Sequence, residues 1–394
     1  MTPQAGSIDR SCENYAHVYY LDNAATTPMR PEVWEAMGPF VSDNFGNSSG
    51  VHATSRRAKN ALEDARERIA ALIGAKPMEI VLTSGGTESD NLAIKGPVLN
   101  SSGAGGVVTV STEHEAVLES AHYMGRSGHP VAVVGVDNRG LVDLGELVGA
   151  VSESTAVVSV MMVNNETGVI QDLRDIADGV KSQHPDVYVH TDAVQAFASQ
   201  EVQVGDLGVD LVTITGHKFG GPKGAGLLYV REGVAIEPVL HGGGQELGRR
   251  SGTHDVAGAV GLAAAMEVAV SDRERFNSEV AKTRDVFEGR LIDAVDGLSI
   301  NGDPGRRSPN HCNVRIPGVR NETLLMRLDR AGVAASAGSA CQSGAATVSH
   351  VLEGMGLSPD EARECVRFSF GWASTVEDAE EAASIVVDLV ESLR

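Results

Sequence analysis

Short apolar runs at 107–110, 131–136, 156–163, 187–190, 210–215 and 226–230 recur along the first two thirds of the chain, and helical patterns separate many of them. Each run is rich in Val, Ile and Leu and too short for an average helix, so each predicts a strand buried on both faces. Strands alternating with helices predict an α/β fold: a mostly parallel sheet with helices on both faces. Helical spacing is clearest at Ala58, Ala61, Leu62, Ala65, Ile69, Leu72 and Ile73. It stops at Gly74, which suits a left-handed C-terminal cap. After Gly252 the character changes. Helices at about 256–270, 280–294 and 376–393, with short strands around Val314 and Val333, predict a smaller α+β domain. There is no internal repeat and no low-complexity linker.

Length supports two domains, since 394 residues exceed the ~250–300 at which single cores stop growing. A formal net charge of -21 argues against nucleic acid or an anionic membrane as partner, because phosphates would be repelled. No apolar stretch approaches the ~20 residues of a membrane helix, and residues 1–17 lack the apolar centre of a signal peptide. Cysteines at 12, 312, 341 and 365 have no CxxC spacing. They suggest neither a zinc site nor a disulfide framework, so no metal is expected and a cytoplasmic location is the default.

Candidate chemistry gathers at strand ends. Lys218 follows the run 210–215 within Thr215-Gly216-His217-Lys218. Desolvation there would lower an ammonium pKa, and a neutral amine forms a Schiff base with an aldehyde such as that of pyridoxal phosphate. Taken alone, a surface lysine at a strand end is the commoner explanation. Asp192 ends the run that begins at Val187, and ligands of open α/β sheets bind at the carboxyl ends of strands. A pyridoxal enzyme needs this second charge to keep the pyridine nitrogen protonated, although a lone Asp there is more often a cap or turn residue. Third comes Thr83-Ser84-Gly85-Gly86-Thr87-Glu88-Ser89, in which a strand, two glycines and a helix start make a generic anion cradle. It matches neither the Walker nor the dinucleotide spacing, and an ordinary capped turn is equally consistent with it.

Taken together with Leu21-Asp22-Asn23-Ala24-Ala25-Thr26-Thr27-Pro28, Phe45-Gly46-Asn47, Val163-Asn164-Asn165-Glu166, His241-Gly242-Gly243-Gly244-Gln245-Glu246, Arg250-Ser251-Gly252-Thr253 and Gly338-Ser339-Ala340-Cys341, these stretches resemble the cysteine desulfurases, in that family's order. The resemblance runs from about Tyr20 to the C-terminus. It implies the fold type I architecture of pyridoxal-phosphate-dependent transferases, with a large cofactor domain at 30–276 and a small domain from 1–29 and 277–394 that carries the reactive-cysteine loop at about 336–348.

The resemblance also implies roles. Lys218 would carry pyridoxal 5'-phosphate and remove the substrate Cα proton, Asp192 would pair with the ring nitrogen, Gln195 would donate to the ring oxygen, and His114 would stack on the ring and shuttle protons. Gly86, Thr87, Thr215, His217 and Thr253 would bind phosphate, Thr253 from across a homodimer interface. Asn165 and Arg367 would fix the substrate carboxylate, Arg367 through its planar fork. Without the resemblance, His114 reads equally well as a strand-end cap and Arg367 as a member of an ordinary ion pair.

Cys341 sets the reaction. Most free cysteines are small buried hydrophobes, but Cys341 lies in a run of small residues, Ala335 to Ala346, that cannot anchor a core and reads as a mobile loop exposing a thiol. The implied reaction converts L-cysteine to L-alanine and leaves a persulfide on Cys341 for a protein acceptor such as an iron-sulfur scaffold or a thiolation enzyme. A selenocysteine lyase, an aminotransferase and an inactive sulfur-carrier scaffold are the alternatives. Two positions depart from the family pattern: Val348 where proline is common, and Trp372 where a basic residue is common.

Overall fold

The protein is described by a computed structural model, which covers residues 18–101, 105–338 and 348–394. Cys12, Cys341 and residues 339–347 of the expected loop lie outside the described residues. Among the described residues twelve strands follow in chain order: β1 Tyr19–Tyr20, β2 Ile80–Thr83, β3 Gly106–Val110, β4 Val131–Val134, β5 Thr155–Ser159, β6 Tyr188–Asp192, β7 Leu211–Thr215, β8 Gly226–Val230, β9 Ser299–Ile300, β10 His311–Arg315, β11 Val333–Ala334 and β12 Cys365–Ser369.

Seven of them form one sheet in the order β2-β8-β7-β6-β5-β3-β4. Strand β8 runs antiparallel to both β7 and β2, and the other pairings are parallel. Strands β2, β3, β7 and β8 are buried along their whole length, as runs of β-branched and aliphatic residues require between two helical layers. The run expected as a strand through Val163 ends its regular pairing at Ser159. It stays extended, because Val160 N–H and Met162 N–H still donate to His190 O and Asp192 O of β6.

Helices cover the sheet. Among them are α1 (Pro31–Val41), α2 (Ala53–Leu72), α3 (Gly86–Asn100) and α4 (Glu115–Arg126). Helix α2 buries Ala58, Leu62, Ala65 and Ile69 on one stripe, and the chain leaves it through Gly74 at φ +69°. The helix Val256–Ser271 is buried on most of its surface, as its nearly uninterrupted apolar sequence demands.

A second core draws on Leu21 and on residues from Phe276 to Val390. It sits on the antiparallel sheet β12-β10-β9, with Phe287 packed on Phe368 and Phe370 at centroid distances of 4.8 and 5.5 Å. Truncating such a buried ring costs about 3–5 kcal/mol. The N-terminal strand belongs to this region, because β1 pairs with β11 while Asp22 bridges to Ser369, and the chain then crosses to the first region, where Thr27 N–H donates to His217 O. No helix among the described residues is long and apolar enough to cross a membrane.

Candidate active site

Strands β7, β6, β5 and β3 are paired in parallel and β2, across the antiparallel β8, runs the same way, so their carboxyl ends line up along one edge, and the expected residues cluster there. Asp192 closes β6 and is 4% exposed. Burial pushes its carboxyl pKa up, while the His114 imidazole and the Lys218 ammonium pull it down. Lys218 ends a short turn directly after β7 and donates from Nζ to Ala24 O at 2.5 Å and Ala25 O at 2.9 Å. Gln195 Nε2 donates to the same Ala24 carbonyl at 2.9 Å, so Lys218 and Gln195 meet on one peptide.

His114 is the N-cap of α4, and its Nδ1 accepts the Ala116 N–H at 3.1 Å. The capping reading of this histidine is therefore correct without excluding chemistry. Burial lowers its pKa, and Asp192 partly offsets that effect. With Nδ1 accepting the Ala116 N–H, the proton of the neutral ring sits on Nε2.

The glycine turn fits an anion. Gly85 adopts φ +142°, a conformation open to glycine alone, and no side chain caps the start of α3. A Cβ on Gly226 would come within 2.6 Å of Gly85 Cα, and one on Gly85 within 3.4 Å of Thr215 Oγ1. Gly86 and the exposed Thr87 form the first turn of α3, so backbone amides, a helix dipole and the Thr215 hydroxyl converge. His217 Nδ1 lies 3.1 Å from Thr26 Oγ1, and burial holds its pKa at about 4. Thr253 is set apart from Lys218. It lines a groove with Ser84, Gly226 and Arg250 on the far side of the turn, where Arg250 pairs with Glu88 at 2.6 Å.

Asn165 and Arg367 come together from opposite regions of the chain. Arg367 lies on β12 and donates from Nη1 to Asn165 O at 2.8 Å and from Nη2 to Asp22 Oδ1 at 2.7 Å. Arg367 Nε and Asn165 Oδ1 are both buried without a hydrogen-bond partner among the described residues. Such orphaned groups are costly unless a ligand supplies the partner.

Residues 22–27 bind this site together. They hold Arg367 through Asp22, Gln195 and Lys218 through the Ala24 and Ala25 carbonyls, and His217 through Thr26. Trp372 shares a crevice with Lys218 and Thr27, donates to Pro28 O, and carries the Arg30 guanidinium 4.8 Å from its ring centroid. A cation thus stands beside the position where the family often has a basic residue.

Sequence reasoning missed the buried polar layer beneath the site. His190 on β6 bonds to Ser159 and Thr213 and lies 3.8 Å from Asp90, while burial holds its pKa at about 3. Burial and the neighbouring Asp192 push the Asp90 carboxyl pKa well up. The available signal was polar residues inside apolar strands, His190 and Thr213 among them.

The buried carboxylate, the strand-end lysine and the uncapped glycine cradle fit a phosphorylated pyridine aldehyde. The chain belongs to the class-V aminotransferase family of pyridoxal-phosphate enzymes, whose family model matches residues 19–381. More particularly, it is 41% identical over 376 residues to the "Cysteine desulfurase IscS" of Dictyoglomus turgidum, covering 95% of each chain. Among solved structures, a "NifS-like protein" superposes with a TM-score of 0.89 at 35% identity, covering 96% of this chain and all of that one. "SspA in complex with cysteine" superposes with a TM-score of 0.79 at 36% identity over 89% of this chain and 98% of that one.

Proposed function

We propose that this protein is a cysteine desulfurase that converts L-cysteine to L-alanine and holds the sulfur on Cys341 as a persulfide for a protein acceptor. The observation that carries the reading is the convergence of Lys218, Asp192 and His114 at one sheet edge with the Arg367–Asn165 pair beside them. Its substrate comes from two kinds of relative, one bearing the name cysteine desulfurase and another solved in complex with cysteine.

Pyridoxal phosphate supplies, when bound, an electron-withdrawing ring that stabilises negative charge on the substrate Cα. Asp192 would keep the ring nitrogen protonated, and the Gly86–Thr87 turn with Thr215 and His217 would hold the phosphate. Lys218 moves the Cα proton, and neutral His114 presents Nε2–H to the substrate side. The Cys341 thiolate then attacks the substrate sulfur. A sulfur–sulfur bond forms, the substrate carbon–sulfur bond breaks, and the carbon keeps the electron pair and takes a proton. Cys341 is oxidised by the step and the substrate carbon reduced, so no external oxidant enters.

A homodimer fits this reading. Phe45, Val51 and Leu247 are exposed, and Ser48 bonds His254 next to Thr253, which puts the 45–51 stretch beside the loop expected to reach a second subunit. The acceptor is an iron-sulfur scaffold or a thiolation enzyme, and the reaction runs in the cytoplasm.

The test is incubation of the holoenzyme with L-cysteine and a reductant, with alanine and sulfide measured together. Equal amounts of the two are expected. A keto acid in place of alanine would identify an aminotransferase. Arg367→Lys is expected to lower kcat/KM by about 10–100-fold, mainly through KM, because it replaces a bidentate charged contact worth ~1.5–3 kcal/mol. An unchanged KM would remove Arg367 from the substrate site.

A further inference from the structure

Outside the residues already given roles, one buried acid touches both described flanks of the segment that carries Cys341. Glu166 is 1% exposed. Its backbone is fixed by Asn164, whose Oδ1 accepts the N–H groups of Glu166 and Thr167, each at 2.9 Å, and whose Nδ2 donates to Thr112 O. Asn313 of β10 donates to Glu166 O at 3.2 Å. The side chain is thereby launched from a turn that cannot easily yield.

The carboxyl end reaches the cysteine segment from both directions. Ser349, on the C-terminal side, donates from Oγ to Glu166 Oε2 at 2.6 Å while accepting the Leu352 N–H as a helix cap. Gly338, on the N-terminal side, lies so close that a Cβ there would fall 2.4 Å from the same oxygen. Its φ of +99° suits glycine alone. Gly338 N–H donates to Ser336 Oγ, and Ser336 exchanges backbone hydrogen bonds with Arg367 at 3.1 and 2.7 Å. On the other flank the His350 ring lies 2.9 Å from Glu113 O, one residue before His114. Both flanks are thus tied to the strands and loops that carry the substrate-binding and proton-moving groups.

We propose that Glu166 is a positioning residue that sets where Cys341 enters the site, by holding Gly338 and Ser349 at a fixed separation from Arg367. The inference rests on the desulfurase reading and deepens it. Cys341 lies three residues from Gly338 and eight from Ser349 in the sequence, so the placement of these two end points limits where the thiol can reach. Attack on sulfur requires approach to about 3–3.5 Å, and a displacement of about 1 Å at the reacting atoms costs on the order of 100-fold. Substrate binding and Cα activation do not require the thiol, so a fault confined to the placement of the thiol leaves them intact.

The test is single-turnover kinetics of the holoenzyme with L-cysteine, following the cysteine-induced absorbance change and alanine release separately. Glu166→Ala is expected to leave the cysteine dependence of the absorbance change intact and to slow alanine release about 10–100-fold. Ser349→Ala should slow it likewise, and the double variant should be no slower than the slower single one, because both act through one contact. Glu166→Gln keeps an acceptor oxygen and should restore most of the rate. The alkylation rate of Cys341 by iodoacetamide should change in Glu166→Ala as well. Wild-type alanine release in Glu166→Ala and Ser349→Ala would overturn the inference. Effects of the two that multiply, or a loss of release matched by loss of cysteine binding, would overturn it too. If Glu166→Ala does not fold, Ser349→Ala alone decides by the same two readouts. Absence of alanine from the wild-type enzyme would overturn the desulfurase reading itself, an outcome separate from these.

Discussion

Lys218→Ala protein is expected to purify without the yellow of a covalently held cofactor and to lose turnover by about 10,000-fold, the upper end for removal of a proton-transferring group. Two losses combine. The Schiff-base linkage loses its amine, and the substrate Cα proton loses the base assigned to it. The remaining contacts of the cradle, Gly86, Thr87, Thr215 and His217, do not involve the Lys218 amine, so the variant should still bind cofactor reversibly. Borohydride reduction of the wild-type holoenzyme followed by peptide mapping checks the assignment. The adduct belongs on Lys218, and finding it on Lys223 would refute the placement.

The same residue shows how far the sequence carried and where it stopped. Lys218 and Asp192 were legible because strands of apolar residues end abruptly in a charge, and the parallel arrangement puts such ends on one edge. The direction of β8 was not legible. Its run of Gly226 to Val230 is as apolar as its neighbours, and hydropathy records burial without recording whether a strand runs up or down. Pairing at long range was hidden for a similar reason. Asp22 and Arg367 are 345 residues apart, and only the folded chain shows that β1 and its following turn lace Arg367 into the cofactor edge.

Buried acids were the least legible part. Asp90 sits in the first half of α3, where an acid ordinarily favours the helix dipole and faces water. Here it is buried 3.8 Å from His190 instead, in an environment that pushes its pKa well up. Glu166 likewise reads as a polar loop residue until its neighbours are seen. Burial of an acid is expensive; Glu166 offsets it with the Ser349 hydroxyl at 2.6 Å and the nearby charge of Arg367, whereas Asp90 Oδ1 is buried without a hydrogen-bond partner among the described residues. That argument separates Asp90 and Glu166 from the surface pairs, such as Arg174 with Asp178, whose contribution is small.

Cys341→Ala provides the second large effect and divides the reaction in two. Cofactor binding, the cysteine-induced absorbance change and exchange of the substrate Cα proton with solvent are expected to persist, since Lys218, Asp192, His114 and Arg367 are all intact. Alanine release should fall to the background rate, because carbon–sulfur cleavage has lost the nucleophile that takes the sulfur. The other cysteines of the described chain cannot replace it. Cys312 and Cys365 are buried in the second core and its edge, and burial pushes their thiols up, that of Cys365 to about 11, which suppresses the thiolate. Mass spectrometry of the wild-type enzyme after one turnover without reductant should find one added sulfur on the peptide containing Cys341. Normal alanine release by Cys341→Ala, or the added sulfur on Cys312 or Cys365, would show that sulfur leaves by another route.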